Sequence, residues 1–68
     1  MTGNAEFEQV AAWFAERGFG LHFETRASET WADLTRLPSS SVVAPNYGRG
    51  ATVLDAALSA KKRFEVEQ

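Results

Sequence analysis

Few side chains of this 68-residue chain could do chemistry, because it has one histidine and no cysteine. His22, Glu24 and Arg26 alternate along a short segment, so an extended backbone would place all three on one face. Acid–base catalysis by the histidine would also require an enclosed site with correctly placed partners. A metal site would need more ligands than one histidine and scattered carboxylates. We therefore expect no enzyme activity, no metal and no cofactor, and we interpret the three residues as a binding surface.

The segment NYGRGAT, residues 46–52, is a second candidate because it directly precedes a helical pattern. The N–H groups at a helix N-terminus favour anions, and Arg49 could add a charge-assisted hydrogen bond. A phosphate loop of the Walker type needs a longer glycine spacing and a Gly-Lys-Ser/Thr ending, which are absent. We predict that Gly48 and Gly50 take positive φ angles in a bend and that Thr52 caps the helix. Anion binding at Arg49 stays an alternative.

Two more groups could contact a partner. Trp31 would lie on the same sheet face as the alternating charges, and an exposed aromatic ring beside arginine is typical of protein interfaces and of base-stacking surfaces. Lys61, Lys62 and Arg63 form a cationic cluster near the C-terminal end of the last helical pattern, where the helix dipole favours cations. That cluster is either a solvated helix end or a set of phosphate contacts.

Composition narrows the classes of function. The net charge of −2 is too balanced to predict attraction to nucleic acid or to an anionic membrane. No apolar run approaches the roughly 20 residues of a membrane span, and the N-terminus lacks the form of a signal peptide. We expect residues 1–68 to form one domain of a cytoplasmic protein, and the alanine- and arginine-rich, lysine-poor composition is typical of bacteria with GC-rich genomes.

The positions of the elements follow from periodicity. Phe7, Val10, Ala11 and Phe14 form the apolar stripe of a first helix, which Asn4 would precede as N-cap and Gly18 would end in a left-handed conformation. Residues 19–27 alternate with period two and predict a strand. Residues 30–37 fit a strand better than a short helix, since the first strand needs an antiparallel neighbour.

The remainder of the chain predicts one more strand and one more helix. PSSS is a polar loop, and SVVAP, residues 41–45, is a short edge strand that Pro45 ends. The last helix opens at Thr52, with Asp55 three residues on, and alanines let it lie close to a sheet. The fold class is therefore α+β in the order α-β-β-β-α, with both helices on one face of a three-stranded antiparallel sheet and the other face open.

The element order and the ending GRGATVLDAALSAKKRF resemble the double-stranded-RNA-binding-domain fold over nearly the whole chain. The ending is also similar to HicB-type antitoxin domains, in a pattern that Gly50, Thr52, Asp55 and Ala56 would carry. The first resemblance implies contacts to RNA phosphates from lysines at the start of the last helix. In this chain the cations come about two turns later.

Two hypotheses about function follow. The first is a non-catalytic module that binds a protein, or a second copy of itself, through the open sheet face or the edge strand SVVA. The second is binding of double-stranded RNA through Arg49 and the cluster Lys61–Arg63. The charge balance and the position of the lysines favour the first.

Overall fold

The computed structural model describes residues 2–39 and 41–67 and shows the α+β order that the sequence predicts. The strands form one antiparallel sheet in the order β1-β2-β3. Ser40, in the loop PSSS, lies outside the described residues. The elements are α1 (Thr2–Ala15), β1 (Phe19–Arg26), β2 (Glu29–Arg36), β3 (Ser41–Gly50) and α2 (Val53–Glu67).

Helix α1 buries two of the four residues of its predicted stripe, leaves Phe7 and Ala11 half-buried, and ends as expected. Val10 and Phe14 are in the core, and Gly18 has a φ of 86°. The N–H of Gly18 donates to the carbonyl of Ala15 at 3.0 Å, a three-residue spacing that tightens the end of the helix. The helix begins at Thr2, so Asn4 lies inside it and does not stand at the predicted N-cap position.

Strands β1 and β2 form a regular hairpin, which confirms that residues 30–37 belong mainly to a strand. The register runs without interruption from the pair Phe19–Arg36 to the pair Arg26–Glu29. Ala27 and Ser28 connect the strands with φ angles of 51° and 66°. Two successive positive φ angles in a two-residue loop define a type I′ turn, whose twist matches that of the strands.

Strand β3 corrects the prediction that Pro45 ends it. The strand continues to Gly50, because extra residues are accommodated opposite β2. Between the pairs Leu34–Ala44 and Ala32–Gly48, three residues of β3 face one residue of β2. The bulge holds Pro45 without requiring it to donate to the ladder.

The glycines of NYGRGAT correct a second prediction. Gly48 and Gly50 lie in β3 and do not take positive φ angles. A Cβ on Gly48 would lie 2.5 Å from the carbonyl oxygen of Ala56 and from the nitrogen of Ala60, so glycine is needed for close packing of α2. Thr52 does cap α2, since its Oγ1 accepts from the N–H of Asp55 at 3.1 Å.

The core lies between the helices and the sheet. Alanines form the buried stripe of α2, whereas Val53, the first residue of the helix, is 42% exposed. The ring of Phe64 packs edge-on against Phe14 at 5.6 Å and also contacts Phe19 and Trp13. On this side of the sheet the buried residues are Val10, Phe14, Thr30, Ala32, Leu34, Tyr47, Gly48, Ala56, Ala57 and Ala60, and Thr35 is buried on the other side.

Candidate functional site

The candidate site is the sheet face that points away from both helices, here called the open face. Its members follow from the alternation that puts Ala32 and Leu34 of β2 into the core. The residues of β1 and β3 that pair with Ala32 and Leu34 point to the core side as well, so the residues that alternate with them point to the open face. The side chains of the open face are His22, Glu24, Arg26, Glu29, Trp31, Asp33, Thr35, Val42 and Arg49.

Trp31 is at the centre of the charged part of the open face. It pairs with Glu24 on β1 and with Arg49 on β3. The guanidinium carbons of Arg26 and Arg49 lie 5.2 and 5.7 Å from the centre of its ring. Such cation–π contacts contribute roughly 0.5–1 kcal/mol each at exposed sites. The indole ring is therefore held between two arginines while it stays half-exposed.

Each of these arginines also contacts a carboxylate. The Nε of Arg26 lies 3.1 Å from Glu24, and an Nη of Arg49 lies 4.0 Å from Glu29. These are exposed pairs, so we attribute little stability to them. Their effect is to set the direction of each guanidinium beside Trp31.

Asp33 connects the hairpin to the bulge of β3. Its Oδ1 accepts from the backbone N–H of Asn46 at 2.8 Å, and its Oδ2 lies 3.4 Å from Nδ1 of His22. Asn46 has a φ of 54°, and its side-chain oxygen accepts a hydrogen bond from Arg26. The bulge thus fixes one of the two arginines that flank Trp31.

The charges of the open face nearly cancel. Three carboxylates face two arginines, and the side chain of His22 is 63% exposed. A solvated imidazole on an open sheet lacks the enclosure that general acid–base catalysis uses. In residues 2–39 and 41–67, no group of three or more acidic or histidine side chains could hold a metal ion.

The structure brings together five of the residues that the sequence singles out and separates the other three from them. The five are His22, Glu24, Arg26, Trp31 and Arg49. Lys61, Lys62 and Arg63 lie on α2, which packs on the opposite face of the sheet.

Two members of the cluster on α2 are paired with carboxylates. Lys61 lies 3.1 Å from Glu65 and 4.9 Å from the ring centre of Trp13. The Nε of Arg63 lies 3.1 Å from a carboxylate oxygen of Glu67, and its guanidinium carbon lies 4.5 Å from the ring centre of Tyr47. Lys62 is exposed.

Tyr47 makes a partly buried hydrogen bond to α2 that the sequence did not suggest. Its hydroxyl donates to Oε1 of Glu67 at 2.7 Å. Burial first, and then this hydrogen bond, raise the pKa of Tyr47 to about 12. The same hydrogen bond, with help from Arg63, lowers the pKa of Glu67. The contact ties the end of α2 to β3.

An open groove of about 330 Å³ also runs between the helices, at the low end of the volumes of small-molecule sites. Its lining is apolar at Val10, Trp13 and Leu58 and polar at Glu6, Gln9 and Lys61.

Neither helix has the combined length and apolarity to cross a membrane within the described part of the chain.

The sequence prediction missed Glu29, Asp33 and Asn46 as parts of the site. Glu29 and Asp33 alternate with Trp31 along β2, so period two could have placed them on the open face. Asn46 had a weaker signal, the tolerance of asparagine for positive φ directly after a proline.

In comparisons with protein-family models, curated proteins and solved structures, nothing matches this chain.

Proposed function

We propose that this protein is a non-catalytic interaction module that binds a protein partner through the open face, with Trp31 as the central contact. The observation that carries the proposal is the half-exposed ring of Trp31 between Arg26 and Arg49. Tryptophan and arginine are enriched among the residues that dominate binding energy in protein interfaces. The neighbouring contacts hold the ring in position before a partner arrives, so little side-chain freedom would be lost on binding.

The apolar end of the same face supports a protein partner. Val42 lies opposite Thr35 and is 50% exposed, and Leu37, beside Gly20 of β1, is 42% exposed. An aromatic centre, an apolar end and paired charges are features of protein interfaces.

Charge supports a protein over a nucleic acid. A surface that grips phosphates needs an excess of cations, but the two arginines of the open face stand among three carboxylates. On the other side of the sheet, Lys61 and Arg63 pair with carboxylates four residues on. This arrangement argues against one phosphate-binding surface made of Arg49 and the cluster on α2.

The resemblance to the double-stranded-RNA-binding-domain fold fits the element order but not this distribution of charge. The HicB-like pattern at Gly50, Thr52, Asp55 and Ala56 has a packing role here, because Gly50 lies against Asp55 and Ala56. An antitoxin-like protein that binds a small toxin would be one case of the proposed function.

The test compares single substitutions on the two sides of the sheet. A partner is first captured with the wild-type chain, identified and purified. Its affinity is then measured by calorimetry for wild type, Trp31→Ala, Arg49→Ala and Lys62→Ala. The last two each remove one exposed cation, from opposite sides of the domain, so Lys62→Ala is the matched control.

We expect Trp31→Ala to weaken binding by about 2 kcal/mol, roughly 30-fold, Arg49→Ala by less, and Lys62→Ala not at all. Equal affinity of Trp31→Ala and wild type would contradict the proposal. In a parallel NMR titration with an RNA duplex, amide shifts at Gly48–Gly50 and Lys61–Arg63 that fade with salt would support RNA binding instead.

A further inference from the structure

We propose that β1 pairs edge to edge and antiparallel with β1 of a second copy of this chain, in a register centred on Phe23. The inference goes beyond the proposed function, since it concerns the edge of the sheet and not its open face. Residues 19–26 form an end strand with β2 as their strand neighbour in the described part of the chain.

The other edge of the sheet is poorly suited to such pairing. Strand β3 contains Pro45, the left-handed Asn46 and a bulge, and a second irregularity lies between Val42 and Ala44. Bulges and prolines on an end strand interrupt the row of N–H and C=O groups that another strand would need. Strand β1 has no proline, and its pairing with β2 is unbroken over eight residues.

Symmetry limits the possible registers. A twofold axis perpendicular to the sheet places one residue of β1 opposite itself and keeps both open faces on the same side. With His22 on the axis, each imidazole meets another imidazole and no carboxylate, and with Glu24 on the axis, two carboxylates face each other. Like charges directly opposite each other destabilise a strand pair.

Registers centred on Leu21 or Thr25 would pair only five or three residues of β1 with the partner strand, whereas the register centred on Phe23 pairs seven and avoids both conflicts. It places His22 opposite the partner's Glu24, and the same pair forms again on the other side of the axis. Phe23 meets the partner's Phe23 on the axis, and aromatic pairs of this kind stabilise neighbouring strands. Phe23 packs on Phe7 at a distance of 5.7 Å between ring centres and is only half-buried, so part of its surface stays accessible to a second ring.

The result is a continuous six-stranded sheet with helices on one side. The two open faces become one, with two copies of Trp31 on the same side. A partner with two recognition segments would bind both, and the second contact would benefit from a raised effective concentration.

Cysteine cross-linking tests the register, and the absence of native cysteines makes it specific. Two variants, His22→Cys and Glu24→Cys, are exposed changes on the open face. Mixed and oxidised, they place one thiol opposite another, within the distance that a disulfide can bridge. In either variant alone, the two thiols of a dimer would be about 8 Å apart at Cα, beyond the roughly 7 Å limit.

We expect the mixture to give several-fold more cross-linked heterodimer than either variant gives homodimer. Lys62→Cys, exposed on α2, measures random collision. Sedimentation of the wild-type protein should show a reversible, concentration-dependent dimer. A monomer at every concentration, or cross-linking no greater than that of Lys62→Cys, would overturn the proposal.

Charge substitution gives an independent readout. His22→Glu places a carboxylate opposite the partner's Glu24 twice and should abolish the dimer. The double variant His22→Glu with Glu24→Lys places opposite charges at these paired positions and should recover the dimer. If the double variant stays monomeric while its fold is intact by NMR, the register is wrong. Trp31→Ala should leave the dimer unchanged, so loss of partner binding and loss of self-association are separable.

Discussion

The carboxylate of Asp33 accepts a 2.8 Å hydrogen bond from the backbone N–H of Asn46, across a bulge in which three residues face one. The N–H of a bulged residue has no acceptor in the strand ladder, so a side chain of β2 provides the acceptor. The bond is charge-assisted and therefore stronger than a neutral one. It joins the bulged strand β3 to the regular hairpin formed by β1 and β2.

Asp33→Ala should therefore destabilise the protein by about 1.5–3 kcal/mol, because it removes a hydrogen bond to a charged group. Denaturant unfolding at neutral pH measures the change. His22→Ala removes only the other, exposed contact of Asp33 and should cost a few tenths of a kcal/mol at most. Equal losses in the two variants would show that Asn46 does not depend on the carboxylate.

Gly48→Ala should destabilise by about 1–3 kcal/mol, because the added methyl group would meet the backbone of α2 at Ala56 and Ala60. Gly18→Ala is the comparison. That position has open space around it but a φ of 86°, so its cost is backbone strain of about 1 kcal/mol without a clash. Thermal and denaturant unfolding of both variants separate the two uses of glycine. If Gly48→Ala costs no more than Gly18→Ala, the close approach of α2 is not needed.

Replacing the turn Ala27–Ser28 by Asn-Gly should stabilise the protein by about 1 kcal/mol. Both positions have positive φ angles that asparagine and glycine accept more readily than alanine and serine. Ala27→Val, a branched side chain at the same place, should be destabilising. A stability unchanged by both substitutions would mean that the turn is not type I′ in solution.

The chain has a single tyrosine, so an absorbance titration follows Tyr47 alone. The folded protein should ionise at about pH 12 instead of the ordinary value of 10. Because the folded pKa is the higher one, the resulting stability is complete below pH 10 and is lost as pH rises towards 12. Tyr47→Phe should therefore be less stable than wild type at neutral pH, and that difference should shrink above pH 10. A midpoint near 10 in the folded protein would contradict the hydrogen bond to Glu67.

Glu67 gives the opposite pH dependence. Its pKa is lowered in the folded state, chiefly by the hydrogen bond from Tyr47, so its contribution is present above its ordinary pKa of 4.5 and is lost as pH falls through the folded value. Glu67→Gln should remove this part of the acid sensitivity. Lys62→Gln, an exposed change on the same helix, should leave the acid dependence as in wild type.

Patterns that depend on near neighbours in the chain predicted much of the fold. The stripe of α1, the alternation in β1 and the cap at Thr52 each involve residues a few positions apart. The prediction for Gly48 was wrong because a glycine is equally compatible with a positive φ angle and with close packing of another element. Only the position of α2 shows which of the two applies. The continuation of β3 past Pro45 involves a hydrogen bond between Asp33 and Asn46, which lie thirteen residues apart in the chain.

For the candidate site too, patterns among near neighbours could be predicted and contacts between residues distant in the chain could not. Alternation predicted the common face of His22, Glu24 and Arg26, and the strand assignment added Trp31. Arg49 was placed in a helix-starting bend, because its strand was expected to have ended. The contact of Tyr47 with Glu67 spans twenty residues and has no local signal.

The surface between α2 and β3 consists largely of glycine and alanine, so nearly every substitution there adds atoms where none fit. The aromatic cluster around Phe64 at the other end of the core consists of large rings, where smaller side chains leave space that neighbours can partly fill. A scan of all single substitutions should therefore find one end of the core nearly invariant in side-chain size and the other tolerant of several sizes. The alanine–glycine surface also loses almost no rotamer freedom on folding, and its geometry is set by backbone contacts.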